Sequence, residues 1–140
     1  MAPTQAGPQL LYRFLRIGVS LLAAVFLVLR FSGFAPLMPA DDGSQLIAYV
    51  MAGIAVVLVL AGVFVLKPRV PARRPSQSSA EYWSTPATAK QALSVWFVLE
   101  GAATLAAVGF LMTGHSVAGA AMVLAIAAFW IVGPETFERA

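Results

Sequence analysis

The stretch LIAYVMAGIAVVLVLAGVFVL at residues 46–66 decides the fold, because its 21 residues contain no charged side chain. At 1.5 Å per residue, a helix of this length covers about 31 Å, close to the roughly 30 Å hydrocarbon thickness of a bilayer. A helix also satisfies its backbone hydrogen bonds internally, which the hydrocarbon requires. We therefore predict that residues 46–66 form a transmembrane helix.

The composition of the whole chain agrees with a membrane protein. Of its 140 residues, 60% are hydrophobic and only 11% are charged, whereas soluble domains average about 25% charged residues. The composition excludes a disordered chain, because disorder requires low hydrophobicity. It also excludes a disulfide or thiolate–metal framework, because the chain has no cysteine. We expect a single integral membrane domain over residues 1–140, long enough for about four spans.

Three further apolar runs predict the remaining spans, at about residues 10–34, 90–112 and 117–132. The run near the N-terminus crosses the bilayer only if Arg16 and Arg30 extend their charges toward the headgroups. The last run is only about 24 Å long, and Gly133 followed by Pro134 ends it as a C-terminal glycine cap does. The predicted fold class is all-α: an integral membrane four-helix bundle made of two helical hairpins.

The first span has an alternative interpretation as a secretory signal peptide. Residues 17–29 form a short apolar core after a basic start, and Ser-Gly-Phe-Ala at residues 32–35 is similar to a cleavage site. Arg30 interrupts the end of that core, and Pro36 and Pro39 crowd the site. These features favour a retained membrane helix, with a three-helix topology as the alternative.

The basic residues predict the orientation, because lysine and arginine concentrate on the cytoplasmic side of membrane spans. Two of them precede the apolar core of the first span and the others occupy the connector at residues 67–89 and its edge, whereas the other two connectors hold one arginine, Arg30. Both termini are therefore predicted to be cytoplasmic, in a multi-pass protein of the bacterial inner membrane. The residues concerned are Arg13, Arg16, Lys67, Arg69, Arg73, Arg74 and Lys90.

The connector begins with a basic segment punctuated by prolines. Prolines at positions 68, 71 and 75 indicate an extended strap over residues 67–75, since proline lacks the N–H group and restrains its predecessor. The strap is a candidate contact for anionic lipid headgroups or for an acidic partner, although the same charges are expected if they only enforce topology. Its basic residues are Lys67, Arg69, Arg73 and Arg74.

Two helix-start signals follow the strap. Ser78-x-x-Glu81 matches the capping box of a short interfacial helix. Thr85 as N-cap, with Pro86 at the first helical position, then begins the third span. Amphipathic aromatic rings favour the membrane interface, so the short helix is expected to place two residues at headgroup level, Tyr82 and Trp83.

Glu100 is the one charge well inside a predicted span, about 12 Å deep for a helix that enters the bilayer near Ala92. A carboxylate at this depth costs several kcal/mol and is kept when it is paired, protonated or facing water. One interpretation is a proton or cation site in which Thr104, on the same helix face, hydrogen-bonds the carboxyl group. The other is a buried pair with Arg16, at a comparable depth, although Arg16 is equally suited to anchor at lipid phosphate.

Residues 97–111, FVLEGAATLAAVGFL, resemble the ion-binding helix of the c subunit of rotary ATP synthases, in which a glutamate precedes small residues and a Gly/Val/Phe/Leu-rich stretch. The connector sequence Arg73-Arg74-Pro75 is similar to the cytoplasmic Arg-x-Pro loop of that family. The resemblance implies that Glu100 is the ion-binding carboxylate. The connector is longer than that loop, and two of the four predicted spans have no counterpart in the c subunit. The chain also resembles four-span bacterial membrane proteins with a Trp-x-x-x-Glu-Gly helix.

The sequence contains no Ser/His/Asp set, paired carboxylates, phosphate loop or His-x-x-x-His pattern, so we expect no enzyme. Its single histidine, His115, has no nearby ligand set for a metal, and no cofactor is expected. We predict a small non-enzymatic integral membrane protein, a packing or accessory subunit of a homo-oligomer or larger membrane complex. The alternative function is proton or cation translocation through Glu100. The expected partners are the lipid bilayer, anionic headgroups and other membrane subunits or further copies of the chain, without nucleic acid.

Overall fold

The computed structural model of the protein describes residues 7–139, and every regular element in that range is helical. Two long helices come first, and a third long helix and a shorter one follow a connector. The elements are α1 (Gly7–Phe31), α2 (Asp42–Leu60), a π-helical segment (Ala61–Leu66), a 3-10 turn (Lys67–Arg69), α3 (Ser79–Ser84), α4 (Pro86–Thr113), α5 (Ser116–Ile131) and α6 (Pro134–Glu138).

Three of these helical stretches are long and apolar enough to cross a membrane: Gly7–Phe31, Asp42–Arg69 and Pro86–Thr113. They contain most of the predicted spans at 10–34, 46–66 and 90–112. The predicted span at 117–132 corresponds to α5, whose 16 residues cover about 24 Å. The fold is therefore a helical bundle compatible with a membrane, with three clear candidate spans and a shorter apolar helix.

Local sequence signals explain where several helices begin. Ser78 and Glu81 form the predicted capping box of α3, with the Glu81 N–H donating to Ser78 Oγ at 3.2 Å and the Ser78 N–H donating to Glu81 Oε2 at 2.9 Å. Helix α4 begins at Pro86 directly after Thr85, as predicted. Helix α2 begins after Asp41, whose carboxylate accepts from the Ser44 N–H at 2.8 Å.

The extended strap was predicted to begin at Lys67, and this prediction is wrong for its first three residues. The chain leaves α2 through a π-helical segment, Ala61–Leu66, and a 3-10 turn, Lys67–Arg69, so extended backbone begins only at Val70. The Pro68 ring is incompatible with an α-helical carbonyl four residues earlier. A wider π turn followed by a tight 3-10 turn lets the helix end there without that clash.

Helix α4 is the central element of the bundle, because α1, α2, α3 and α5 all contact it. Helices α4 and α5 form one of the predicted hairpins, and α2 contacts both of them. The other predicted hairpin is wrong, since α1 and α2 are consecutive but do not pack against each other to any extent. The connector between them crosses the end of α4, where the Met38 N–H donates to the Met112 carbonyl at 2.9 Å, and so carries α2 to a different side of α4.

The outer surface of the long helices is apolar. Only 11% of the apolar stretch of α1 is buried within the bundle, against 22% for the second candidate span and 44% for α4. Side chains such as Phe14, Ile17 and Leu21 on α1, and Val57 and Phe64 on the second span, are more than 60% exposed. Contiguous apolar surface of this extent is not typical of a soluble monomer, whereas hydrocarbon covers it without penalty.

The two ends of the bundle differ in charge. At one end, called here the basic end, the first turns of α1, the strap, α3, the start of α4, the last turn of α5 and α6 come together. The Gln9 amide, for example, donates to Glu138 Oε1 at 3.1 Å across 129 residues of sequence. Eight of the nine basic residues lie at this end, Arg30 being the exception: Arg13, Arg16, Lys67, Arg69, Arg73, Arg74, Lys90 and Arg139.

Candidate functional site

Glu100 lies near the middle of α4, about 20 Å from either end of that helix. The residues on one side of it at helical spacing are buried, Trp96 at 0% and Ala103 at 1% exposure. On the other side Phe97 is 48% and Val108 38% exposed. Glu100 itself is partly exposed. The carboxylate therefore stands at the boundary between the packed face of α4 and the outer surface.

Within residues 7–139, no hydrogen bond or ion pair reaches the Glu100 side chain. Thr104 is partly exposed on the same face, but its hydroxyl does not bond the carboxyl group as the sequence suggested. The neighbouring Gly101 has open space beside it, because a Cβ built there would meet no atom within 4 Å. The described part of the chain thus supplies the carboxylate with no partner and leaves room next to it.

Arg16 was the other member of the suggested buried pair, and the structure does not bring it to Glu100. Its guanidinium lies 4.5 Å from the Trp130 ring centroid and 5.8 Å from that of Tyr12. A guanidinium over an aromatic face is stabilised by the ring quadrupole. The Trp130 indole in turn donates to Ser20 Oγ at 3.0 Å. Arg16 therefore ties α1 to the last turn of α5 at the basic end.

A cluster of aromatic rings fills the interior of the basic end. The ring centroids of Tyr12 and Trp96 are 4.8 Å apart, those of Tyr12 and Phe129 5.1 Å, and those of Trp83 and Trp96 5.8 Å. Phe137 lies 5.9 Å from Trp96. This cluster joins α1, α3, α4, α5 and α6 into one packed unit, since each helix contributes a ring.

Side chains from other helices satisfy the carbonyls at the end of α5, which have no partner within their own helix. The Tyr12 hydroxyl donates to the Phe129 carbonyl at 2.8 Å, and the Trp96 indole donates to the Val132 carbonyl at 2.7 Å. Gly133 and Pro134 were predicted to end this helix as a C-terminal glycine cap does, but Gly133 has φ −81° and lacks the left-handed conformation typical of such a cap. It instead permits close approach, because a Cβ there would lie 3.3 Å from the Tyr12 hydroxyl oxygen.

Glu138 is the central acceptor of the basic end. Its Oε1 accepts from the Trp83 indole at 2.6 Å, from Ser79 Oγ at 3.0 Å and from the Gln9 amide at 3.1 Å. Its Oε2 lies 3.6 Å from the Arg73 guanidinium. Sequence reasoning missed this residue because acidic residues carry little weight in orientation. Pro134 at the first position of a helix was the signal that the chain continues into an ordered α6.

Tyr82 and Trp83, expected at headgroup level, are buried inside the protein at 1% and 2% exposure. The Tyr82 hydroxyl donates to the Pro71 carbonyl at 2.7 Å and lies 3.3 Å from the Phe137 carbonyl. Burial, and secondly the negative charge of Glu138, raise the pKa of Tyr82 above its ordinary value. The short helix α3 therefore docks the strap onto the bundle with its aromatic side chains facing inward.

The four basic residues of segment 67–75, the segment predicted to be the strap, are used differently. Arg73 is partly buried, donating from Nε to the Gln77 carbonyl at 2.9 Å and pairing with Glu138. Arg69 and Arg74 are exposed, and Lys67 is partly exposed in the 3-10 turn. The structure thus leaves Lys67, Arg69 and Arg74 as the surface available to lipid or to an acidic partner.

Over the described range no three His, Cys, Asp or Glu side chains converge in a way that could hold a metal ion. Comparison of the chain with models of protein families, with curated proteins and with solved structures finds no match. The fold and the site define the class of molecule: a helical bundle with three helices able to cross a membrane, one carboxylate at the edge of its apolar surface, and a polar, aromatic-rich basic end.

Proposed function

We propose that the protein is a small, non-enzymatic, multi-pass protein of the bacterial inner membrane that works as an accessory subunit, packed against copies of itself or a larger membrane complex. In this proposal α1, α2, α4 and α5 all cross the bilayer, with both termini cytoplasmic. The gathering of eight of the nine basic residues at one end supports this orientation.

The fourth span in this proposal is α5, which is shorter than a typical transmembrane helix. Its 16 residues cover about 24 Å, a few ångströms less than the hydrocarbon thickness of roughly 30 Å. Bilayer thinning near a short span costs only fractions of a kcal/mol per Å. The packing of α5 against both α4 and α2 supports its placement in the same layer as those helices.

The observation that carries the proposed role is the position of Glu100. The carboxylate lies at the edge of the outer surface and has no hydrogen bond or ion pair from residues 7–139. An intramembrane carboxylate is kept when it is paired, protonated or facing water. A basic or hydrogen-bonding side chain from a neighbouring subunit meets this requirement, and the open space beside Gly101 allows a second helix to come close.

The test is the size of the assembly that the full-length protein forms when it is extracted with mild detergent from its native membrane. We expect the wild-type chain to migrate in native electrophoresis as part of an assembly larger than its own 14.7 kDa. Glu100→Gln removes the charge and keeps the shape, and we expect it to reduce the assembled fraction by about tenfold, which corresponds to about 1.4 kcal/mol.

The matched control is Asp42→Asn, which removes one negative charge from the first turn of α2 and lies far from Glu100 along the chain. It is expected to leave the assembly intact. An Asp42→Asn variant that dissociates as completely as Glu100→Gln would show that net charge decides assembly, and a wild-type protein that is monomeric in its native membrane would contradict the proposal.

Proton or cation translocation through Glu100 is the second candidate function. The observation that favours it is the same carboxylate, partly exposed with no internal partner among the described residues, in a helix that resembles an ion-binding helix. A hydrophobic carbodiimide reacts with a protonated carboxyl group exposed to lipid. Labelling at Glu100 that falls as pH rises, or that cations block, would support translocation, and no labelling at any pH would support the packing role.

A further inference from the structure

A polar cavity of about 240 Å³ lies at the basic end, between the first turns of α1 and α6. Its volume is roughly eight times the ~30 Å³ that a water molecule occupies in the liquid, so it admits a small polar group. The α1 wall is a single helix face, because its residues follow the spacing i, i+3, i+4, i+7. The residues that line the cavity are Gln9, Tyr12, Arg13 and Arg16 from α1, and Pro134, Glu135 and Glu138 from α6.

The two walls carry opposite charges. Arg13 and Arg16 provide guanidinium groups, which stay charged at any physiological pH and present several N–H donors in a fork that fits a phosphate. Glu135 and Glu138 provide carboxylates, which accept hydrogen bonds from an ammonium group. A ligand that satisfies both walls therefore carries an anionic group at one end and a cationic N–H donor at the other.

Two of these groups have hydrogen-bonding capacity that the described chain does not use. Glu135 is exposed, and its carboxylate has no hydrogen bond or ion pair with another residue in the range 7–139. The Arg16 guanidinium lies against the Trp130 and Tyr12 rings and is paired with neither glutamate of the cavity within that range. Stacking leaves the edge of a guanidinium, where its N–H groups point, able to donate.

The position of the cavity points to a lipid rather than a soluble ligand. Arg13 lies 18 residues before Phe31, the last residue of α1, which places it about 27 Å from that end of the helix and so near one boundary of a ~30 Å hydrocarbon layer. Ile17, one residue beyond Arg16, is 63% exposed, and Ile131 at the end of α5 is 71% exposed. Apolar outer surface therefore begins directly beside the charged walls.

We propose that this cavity binds the headgroup of a zwitterionic phospholipid with a primary ammonium, whose phosphate contacts Arg13 and Arg16 while its ammonium contacts Glu135 and Glu138. The acyl chains run along the exposed apolar side chains below. This proposal rests on the membrane placement of the bundle and is independent of any role of Glu100.

The test compares the dissociation constants of three short-chain lipids for the purified full-length protein in detergent. The lipids are phosphatidylethanolamine, phosphatidylcholine and phosphatidylglycerol. Tryptophan fluorescence reports binding, because Trp83 and Trp130 lie at the basic end. We expect phosphatidylethanolamine to bind about tenfold more tightly than either competitor. Phosphatidylcholine has a phosphate but no ammonium N–H, and phosphatidylglycerol has no ammonium. Equal dissociation constants for the three lipids would overturn the proposal.

The decisive variant is Glu135→Gln, scored by the ratio of the dissociation constants of phosphatidylethanolamine and phosphatidylglycerol. We expect the variant to lose most of the tenfold preference, since it removes the charge that faces the ammonium. Arg16→Gln is expected to weaken the binding of all three lipids to a similar extent. The matched control, Glu81→Gln, removes one negative charge at the same end outside the cavity and keeps a residue type that completes a capping box, so it should retain the preference.

Two results count against the assignment. A Glu135→Gln variant with an unchanged preference for phosphatidylethanolamine would show that the acidic wall does not bind the ammonium group. Free phosphoethanolamine that competes as strongly as the lipid would show that the ligand is a soluble zwitterion. Because this assay scores headgroup selectivity of the isolated chain, its failure leaves the assembly experiment on Glu100 unaffected, and failure of that experiment leaves this one unaffected.

Discussion

At the residue scale, the organisation of the basic end depends on a few polar atoms placed among aromatic rings. Glu138 receives three donors on one oxygen and a guanidinium near the other. Hydrogen bonds to a charged acceptor are stronger than those between neutral groups. Leaving a buried donor without its acceptor also costs more free energy than the hydrogen bond itself contributed to stability. Glu138 is therefore the side chain whose removal should affect this end most.

The first prediction concerns Glu138. Glu138→Ala leaves the Trp83 indole N–H without its acceptor, and we expect it to lower the free energy of unfolding by about 1–3 kcal/mol. Glu138→Gln retains an oxygen that accepts from that N–H, so it should lower the free energy of unfolding by less than Glu138→Ala does. Thermal unfolding in detergent, followed by near-ultraviolet circular dichroism, measures both. The exposed neighbour Glu135, changed to alanine, is the control and should show little loss; equal losses for Glu138→Ala and Glu138→Gln would argue against the hydrogen-bonded role.

The second prediction concerns the pH dependence of stability through Tyr82. Because the pKa of Tyr82 is raised in the folded protein, the unfolded chain loses this proton first as pH rises, near the ordinary value of about 10. The contribution to stability is complete below about pH 10 and is lost as pH rises through the raised folded pKa. Between about pH 10 and that raised pKa, wild-type protein should lose stability more steeply than Tyr82→Phe, as denaturation at several pH values will show. Parallel pH curves for the two proteins would contradict this.

At the element scale, the helix boundaries follow from local chemistry, and the turn between α4 and α5 is an example. Gly114 adopts φ +68°, a left-handed conformation, and its N–H donates to the Phe110 carbonyl at 2.8 Å. A Cβ built on Gly114 would lie 2.5 Å from Cγ of Pro36 in the connector between α1 and α2. Both the backbone conformation and the packing therefore require glycine at this position.

The third prediction follows for that turn. Gly114→Ala should lower the free energy of unfolding by more than about 1 kcal/mol, because left-handed backbone alone costs a residue with a Cβ roughly 1–2 kcal/mol and the contact with Pro36 adds to it. Gly101→Ala, in the interior of the same helix with open space around it, should be neutral or stabilising by up to about 1 kcal/mol. Chemical or thermal unfolding measures both changes in the free energy of unfolding. If Gly101→Ala destabilised the protein as Gly114→Ala does, the left-handed backbone and the Pro36 contact would not explain the loss.

At the scale of the whole molecule, the distribution of charge and the arrangement of helices decide what the protein presents to its surroundings. The basic end gathers eight of the nine basic residues from segments far apart in sequence. The opposite end has Arg30, Asp41, Asp42 and His115. Between the two ends the surface is apolar, with α1 the least buried of the three long helices. An asymmetric molecule of this kind has a preferred orientation in a bilayer.

The fourth prediction tests that orientation and the fourth span. The chain lacks cysteine, so single cysteines introduced at exposed positions report their own accessibility. In intact cells, a membrane-impermeant maleimide should label Ser32→Cys and Ser116→Cys at the opposite end and leave Ser76→Cys and Arg139→Cys unlabelled until the membrane is permeabilised. Labelling at position 139 but not at 76 would show that α5 does not return the chain to the cytoplasmic side.

The extent of agreement between sequence and structure differs between local and long-range features. The capping box at Ser78 and Glu81 and the start of α4 at Pro86 were predictable, because each depends on side chains within four residues of one another. The inward direction of Tyr82 and Trp83 was not, since an amphipathic ring suits the membrane interface and a protein interior equally well. The Arg16 contact with Trp130 was also missed, because it joins residues more than one hundred positions apart.

The amino-acid sequence by itself determined that the chain is an all-helical molecule with long apolar segments, where several of those helices begin, and which residues are basic. These properties depend on side-chain chemistry along one continuous stretch. Only the tertiary structure decided that α1 and α2 do not form a hairpin, that Glu138 accepts from side chains of both α1 and α3, and that Arg16 and Glu100 stay apart. Neighbours among apolar helices are chosen by side-chain shape and by connector paths such as that of Met38 over Met112, and residue spacing along a single helix does not encode them.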